Sequence, residues 1–225
     1  AAPDTLVLDP DSRLSQLGLL PVCEPNRHVF FESRTYGEYE NASLGELTER
    51  WIYEQFGVRA RAYLALPADE PKVRAEITVS LGVGENPSKK LPAGFERGLL
   101  EQLAATGRSC LVDRGGSGEE GARVDQATAG LPNVQTITGP FEDFARCITS
   151  AKFYAGYDSA GQHIAAVCGV PLVCIFAGYP SERFLARWQP WGRGPRTVIP
   201  VSDGNWQKAL SDATTCIKHV EKVHN

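Results

Sequence analysis

Methionine is absent from all 225 residues. A chain of this length ordinarily carries several, so the absence is what an engineered sequence or a segment drawn from a larger chain would show. Long apolar runs are missing too. None approaches the roughly 18 residues of a membrane-spanning helix, and no stretch has the charged, apolar and small-residue order of a signal peptide. There is no polybasic tract and the formal net charge is −4, which leaves little for a nucleic-acid backbone to hold. The six cysteines (Cys23, Cys110, Cys147, Cys168, Cys174, Cys216) show no CxxC spacing. Several fall in apolar patterns, so reduced, buried thiols are expected rather than zinc ligands or disulfides. No GxGxxG follows the first strand, which removes the usual dinucleotide fingerprint. The sequon Asn41-Ala42-Ser43 is expected to be idle in a cytoplasmic chain.

What is present centres on residues 153–179, FYAGYDSAGQHIAAVCGVPLVCIFAGY. A short apolar strand (Phe153, Tyr154, Ala155) runs into a polar, small-residue corner, Gly156-Tyr157-Asp158-Ser159-Ala160-Gly161. A helix start follows over Gln162 to Cys168. Gly169 suits the helix C-cap, with Pro171 just beyond it opening a second strand to Phe176. This βαβ unit presents bare helix amides at its corner, where a phosphate or diphosphate fits the positive end of the helix dipole. Asp158 and Ser159 equally suit N-cap roles, and His163 faces either a ligand or the core.

Strand and helix alternate along the rest of the chain, whose 42% hydrophobic content is enough for one large or two small α/β domains. Strands are expected at 5–9 and 28–31, with a short helical or loop segment over Leu14, Leu17, Leu19 and Leu20. Arg34, Tyr36 and Tyr39 form a polar loop. A helix begins at Ser43, with Ser43 and Glu46 as a capping box, and stops at Gly57. A proline-rich, charged linker at 67–75 then divides a partial N-terminal α/β region (1–66) from a C-terminal domain (76–225). In that domain, strands at 77–81, 109–113 and 134–137 are expected, with helices over 95–106, around Arg123 and from Phe141. Buried-looking strands in this alternation argue a doubly wound parallel sheet. The loop after the first of them carries Lys89 and Lys90 at a sheet edge where ligands bind in such folds. A phosphate contact and a solvated surface pair are both open for them.

Five features occur in one order: Ser88-Lys89-Lys90-Leu91-Pro92, the 115–120 loop with its acidic pair, the helix at 141–152, Asp158-Ser159-Ala160-Gly161-Gln162-His163, and Gly169-Val170-Pro171. Together they resemble the C-terminal half of the heptosyltransferase-like glycosyltransferases of family 9. The likeness runs from about Ile77 to Trp191 and is looser over 1–66. It implies a GT-B fold, here a Rossmann-like doubly wound sheet with an incomplete N-terminal domain. It further implies an inverting, metal-independent, bacterial-type transfer of a heptose-like sugar to a lipopolysaccharide or related glycan acceptor. The donor would be an ADP- or UDP-linked sugar acting as substrate, with no cofactor.

Carried onto this sequence, the resemblance places Asp158, Ser159 and His163 on the family's D-[ST]-G-x-x-H donor motif, with Ala160 where the motif has glycine and Gly161 beside it. Lys89 falls on the lysine implied to touch phosphate, and Glu119 or Glu120 on the acidic position associated with the nucleotide. Pro180, Arg187, Trp188 and Trp191 occupy the family's P-x-x-x-G-like loop. The implied catalytic base, a carboxylate in a Gly-Asp motif near the start of the N-terminal domain, has no counterpart upstream of Asp4. A preceding segment or a partner chain is therefore expected to supply it. The alternative is a noncatalytic nucleotide-sugar-binding module or half-protein. Peripheral association with the inner membrane is implied only by the nature of such acceptors. A serine hydrolase at Ser159 is disfavoured, because Tyr157 stands where a nucleophile elbow needs glycine.

Overall fold

The computed structural model describes residues 6–9, 27–59, 61–66, 70–84, 86–116, 118–202 and 204–223. The expected segment over Leu14 to Leu20, Cys23 and the first part of the proposed linker lie outside them. The chain divides into two compact units, residues 1–61 and 62–225.

In the first unit, β1 (Val7–Asp9) and β2 (His28–Phe30) pair in parallel. Helix α1 (Leu44–Phe56) starts where Ser43 accepts a hydrogen bond from the Glu46 amide, and it ends at Gly57, whose φ of 66° is left-handed. Both boundaries follow from the sequence, since a serine hydroxyl satisfies an orphan amide and only glycine takes that φ without strain. Leu47 and Trp51 bury the inner face of α1, Trp51 against Phe31 with ring centroids 4.9 Å apart. Tyr36 of the polar loop donates its hydroxyl to Glu54 at 2.6 Å, while Tyr39 is fully exposed.

The second unit is a six-stranded sheet with strands β3 (Ile77–Ser80), β4 (Cys110–Asp113), β5 (Val134–Ile137), β6 (Phe153–Tyr157), β7 (Leu172–Ala177) and β8 (Arg196–Val201). They lie in the order β5-β4-β3-β6-β7-β8, with every neighbouring pair parallel. Counted from β3, that order is 3-2-1-4-5-6, the doubly wound arrangement, and its direction reverses between β3 and β6.

Both faces of the sheet are covered, which is why the central strands read as continuous apolar runs. Along β6 and β7, Phe153, Ala155, Tyr157, Val173 and Ile175 enter one core with α2 (Ala93–Ala104), α3 (Glu119–Thr128) and α7 (Trp206–Val223). Tyr154, Leu172, Cys174 and Phe176 enter the other with α4 (Phe141–Ser150) and α5 (Ala160–Cys168). The segment before β3 joins this second face: Ala75 is buried and Cys147 Sγ donates to the Val73 carbonyl at 3.2 Å.

Several features depart from the sequence reading, the unexpected strand β8 and helix α7 among them. Strand β6 does not stop at Ala155 but runs through Gly156 and Tyr157, which pair with Ser80 and Ile175. The segment of Arg187 and Trp188 is not a loop but helix α6 (Glu182–Trp188), capped by Ser181. Cys168 is exposed, unlike the buried Cys110, Cys147 and Cys174.

Gly156 shows how tightly the central pair is built. A Cβ there would lie 2.4 Å from the Ser80 carbonyl and 2.8 Å from the Tyr154 hydroxyl. Gly156→Ala is expected to lower folding stability by about 2 kcal/mol through overpacking. Denaturant unfolding checks this; a midpoint unchanged from wild type would show that β3 and β6 can separate freely.

Candidate functional site

The site lies where the sheet changes direction, beyond the carboxyl ends of β3 and β6. Parallel strands diverge there and their loops leave on opposite faces, so a crevice forms without any special residue. What fills it is particular to this chain.

From β3 comes the turn bearing Lys89, a short 3-10 helix (Pro87–Lys89). Asn86 builds the turn: its side-chain oxygen accepts from the Ser88 amide at 3.1 Å and from the Ser88 hydroxyl at 2.6 Å. The turn rests on Gly178 at the end of β7, where a Cβ would come within 2.2 Å of the Ser88 carbonyl. Lys89 Nζ reaches Asp158, 2.6 Å from Oδ2 and 3.3 Å from the backbone carbonyl. Asp158 is 5% exposed, so water screens this pair little. Its other carboxylate oxygen accepts from Gln162 Nε2.

From β6 comes the start of α5. Ser159 occupies the N-cap position in extended conformation, yet its hydroxyl caps nothing. Ser43 and Ser181, by contrast, each accept from a first-turn amide of their helices. Gln162 Oε1 is buried without a hydrogen-bond partner, and Gln162 has no solvent exposure, while the Ser159 hydroxyl turns inward to the Tyr154 hydroxyl. The helix start is therefore uncapped beside a lysine, with one buried amide oxygen, that of Gln162, leaving its hydrogen bond unmade. Ala160 is exposed at the first position of the helix. Gly161 faces the core, where a Cβ would meet the Tyr154 hydroxyl at 2.4 Å.

His163 Nε2 lies 3.4 Å from Gln162 Nε2. Gln162 can donate only if that imidazole nitrogen is unprotonated, which puts the ring proton on Nδ1. Burial lowers the His163 pKa, with Lys89 adding to that and Asp158 opposing it. Burial thus favours the neutral ring.

The acidic pair separates. Glu119 is exposed at the start of α3. Glu120 turns back over the strand ends, filling space that glycines leave open. A Cβ at Gly82 would lie 2.7 Å from Glu120 Oε1, and one at Gly115 would lie 2.6 Å from Glu120 Cδ. Gly82 follows β3 and Gly115 follows β4, so this carboxylate stands at the same edge of the sheet as Lys89. Asp113 ends β4 and accepts from the Gly115 amide at 3.0 Å; burial raises its pKa.

Lys89, Asp158, Ser159, Ala160 and His163 thus meet at one corner, with Glu120 over the neighbouring strand ends and Glu119 outside. Sequence reasoning missed Gln162. It sits inside the motif, four residues after Asp158, and that helical spacing could have paired the two. Among the described residues no cluster of three or more His, Cys, Asp or Glu could hold a metal ion, and no helix is long and apolar enough to cross a membrane.

No protein-family model matches the chain. Among curated proteins it is similar to lipopolysaccharide heptosyltransferase 3 of Escherichia coli strain K12, with 30% identity over 115 residues, covering 49% of this chain and 31% of that protein. A second E. coli lipopolysaccharide heptosyltransferase 3 is 27% identical over 139 residues, covering 56% of this chain and 39% of that one. The matched region spans less than half the length of either relative. Among solved structures, E. coli heptosyltransferase WaaC with ADP superposes with a TM-score of 0.62 at 18% identity, covering 80% of this chain and 57% of that one. WaaC with ADP-2-deoxy-2-fluoro heptose gives 0.59 at 18% identity, covering 83% and 57%. At such identity the structures show the fold alone. The resemblance drawn from the motifs stands: the chain is heptosyltransferase-like in sequence over about half its length, and its α/β sheet matches that of GT-B heptosyltransferases.

Proposed function

We propose, from a heptosyltransferase-like sequence on a GT-B-type sheet, that the chain carries the donor site of a glycosyltransferase. It would move a heptose-like sugar from a nucleoside diphosphate to a lipopolysaccharide or related glycan acceptor. One observation carries this reading: Lys89 and the uncapped start of α5 converge at the switch point of the sheet, with Asp158 holding the lysine in place.

A diphosphate seated there takes hydrogen bonds from the first amides of α5 and charge from Lys89 Nζ, a compact cation on a flexible stem. These donors are fixed before the reaction, so they stabilise the negative charge that grows on the leaving diphosphate without reorganising. The proposed transfer is a single inverting displacement. The acceptor oxygen bonds to the anomeric carbon as the carbon–oxygen bond to the diphosphate breaks, and that bonding pair leaves with the diphosphate. The acceptor proton passes to a carboxylate base on the acceptor side; no residue of this chain is assigned that role. Lys89 and the helix amides supply the positive charge in this scheme, so it calls on no metal.

Glu120, rather than Glu119, is assigned the nucleotide contact, because its carboxylate faces the strand ends and can accept from two vicinal hydroxyls. ADP is the first donor base to try, since WaaC was solved with ADP and with an ADP-linked sugar. We place the protein in the cytoplasm, peripheral to the membrane where such acceptors are built.

Calorimetric titration of the chain with ADP, UDP and their sugar conjugates tests the reading. Saturable binding of one nucleotide series is expected, tighter for the diphosphate than for the nucleoside. A folded chain that binds neither series overturns it.

A further inference from the structure

Glu96 lies on the inner face of α2 among Phe95, Leu99 and Leu100, and it has no solvent exposure. Its position would suit an apolar residue as its neighbours do. A carboxylate there is costly to desolvate, and only part of that cost is recovered. Oε1 accepts from the Tyr157 hydroxyl at 3.0 Å and from Arg123 Nη1, while Oε2 has no partner. Burial raises its pKa, opposed chiefly by Arg123. Stability alone gives no reason for such a group.

Its two partners supply one. Arg123 Nη2 donates to the Leu81 carbonyl at 2.9 Å, and the Tyr157 hydroxyl accepts from the Leu91 amide at 3.1 Å. Leu81 and Leu91 are the two ends of the loop that carries Lys89. Tyr157 is the last residue of β6, directly before Asp158, and its ring packs on Phe95 with centroids 6.0 Å apart. One buried carboxylate therefore ties both ends of the lysine loop to the strand end that bears the lysine's partner.

We infer that Glu96, acting through Tyr157 and Arg123, is a positioning residue that fixes Lys89 at the diphosphate seat beside the start of α5. The inference rests on the donor-site reading above and adds the residues that set its geometry. A lysine on a free loop would have to be ordered each time a ligand bound, whereas a clasped loop presents it ready placed.

Tyr157→Phe keeps the ring in the core while removing both hydrogen bonds of the hydroxyl. Its ADP affinity, by calorimetry, is expected to fall about tenfold, the scale of one well-made hydrogen bond to a charged group. Adenosine, which carries no phosphate, should bind as it does to wild type by ligand-observed NMR. In a Lys89→Ala background Tyr157→Phe should change ADP affinity less than about twofold, because the positioned group is already gone. Glu96→Gln, which keeps one acceptor oxygen for Tyr157 and Arg123, should weaken ADP binding less than Tyr157→Phe does. If Tyr157→Phe does not fold, Arg123→Lys carries the same test from the partly open end of the network.

Equal weakening of ADP and adenosine, an undiminished effect in the Lys89→Ala background, or no effect on ADP overturns the inference and leaves the donor site standing. If wild type binds UDP instead, UDP and uridine replace the two probes. If folded wild type binds neither nucleotide, the donor-site reading itself fails and takes the inference with it.

Discussion

Lys89→Ala is expected to weaken ADP binding by about 10- to 100-fold, the loss of one or two charge-assisted hydrogen bonds at about 1.5 to 3 kcal/mol. Lys89 stands over the helix start with its Nζ 2.6 Å from Asp158 and its side chain 19% exposed. Water neither screens it fully nor competes strongly for it, so its charge acts at close range. Lys89→Arg should restore only part of the affinity, because a planar fork cannot take the place of a compact ammonium held against Asp158. Adenosine affinity should be the same in wild type and variant. Calorimetry with both ligands checks this, and a Lys89→Ala variant that binds ADP as wild type does would remove lysine from the site.

The second large effect is on folding. Asp158→Ala should lower stability by about 3 kcal/mol, the low end for breaking a buried pair, because Lys89 keeps some access to water. Two groups lose their partner at once. Lys89 keeps only the backbone carbonyl at 3.3 Å, and Gln162 loses the acceptor for its amide nitrogen while its oxygen has none already. Asp158→Asn should cost less, since it keeps an oxygen for Gln162. Denaturant unfolding with an unchanged m-value is the check. A loss below about 1 kcal/mol would mean that the pair behaves as a solvated surface contact.

Much of this was legible in the sequence. The runs at 77–81, 109–113 and 171–176 announced buried parallel strands, because covered faces need no alternation. Ser43 and Gly57 marked their helix ends because their chemistry there is local. The corner at Asp158 was found for the same reason: it sits between a strand and a helix that both declare themselves. What stayed hidden depends on distant neighbours. Gly156 looked like a turn, yet it is strand, kept bare because the Ser80 carbonyl lies where its Cβ would go. Strand β8 contains Pro200, which an edge strand tolerates and a pattern reader takes for a break. Helix α7 buries Ala209, Ala213 and Ile217, a face too small-sided to stand out by periodicity.

At the site itself, the motif gave Lys89 and Asp158 but not their pairing, and it could not separate Glu119 from Glu120. We propose Glu120 because it packs against Gly82 and Gly115, far from the motif in sequence but adjacent at the strand ends. Glu96, Tyr157 and Arg123 come from three elements and carry no spacing that would join them.

The measurement that tests the central claim most directly is a crystal structure of the chain grown with ADP. The expected result places the diphosphate against the first amides of α5, with Lys89 Nζ within hydrogen-bond distance of a phosphate oxygen and the ribose on the Glu120 side. A nucleotide bound elsewhere on the chain, with the start of α5 and Lys89 untouched, would contradict it.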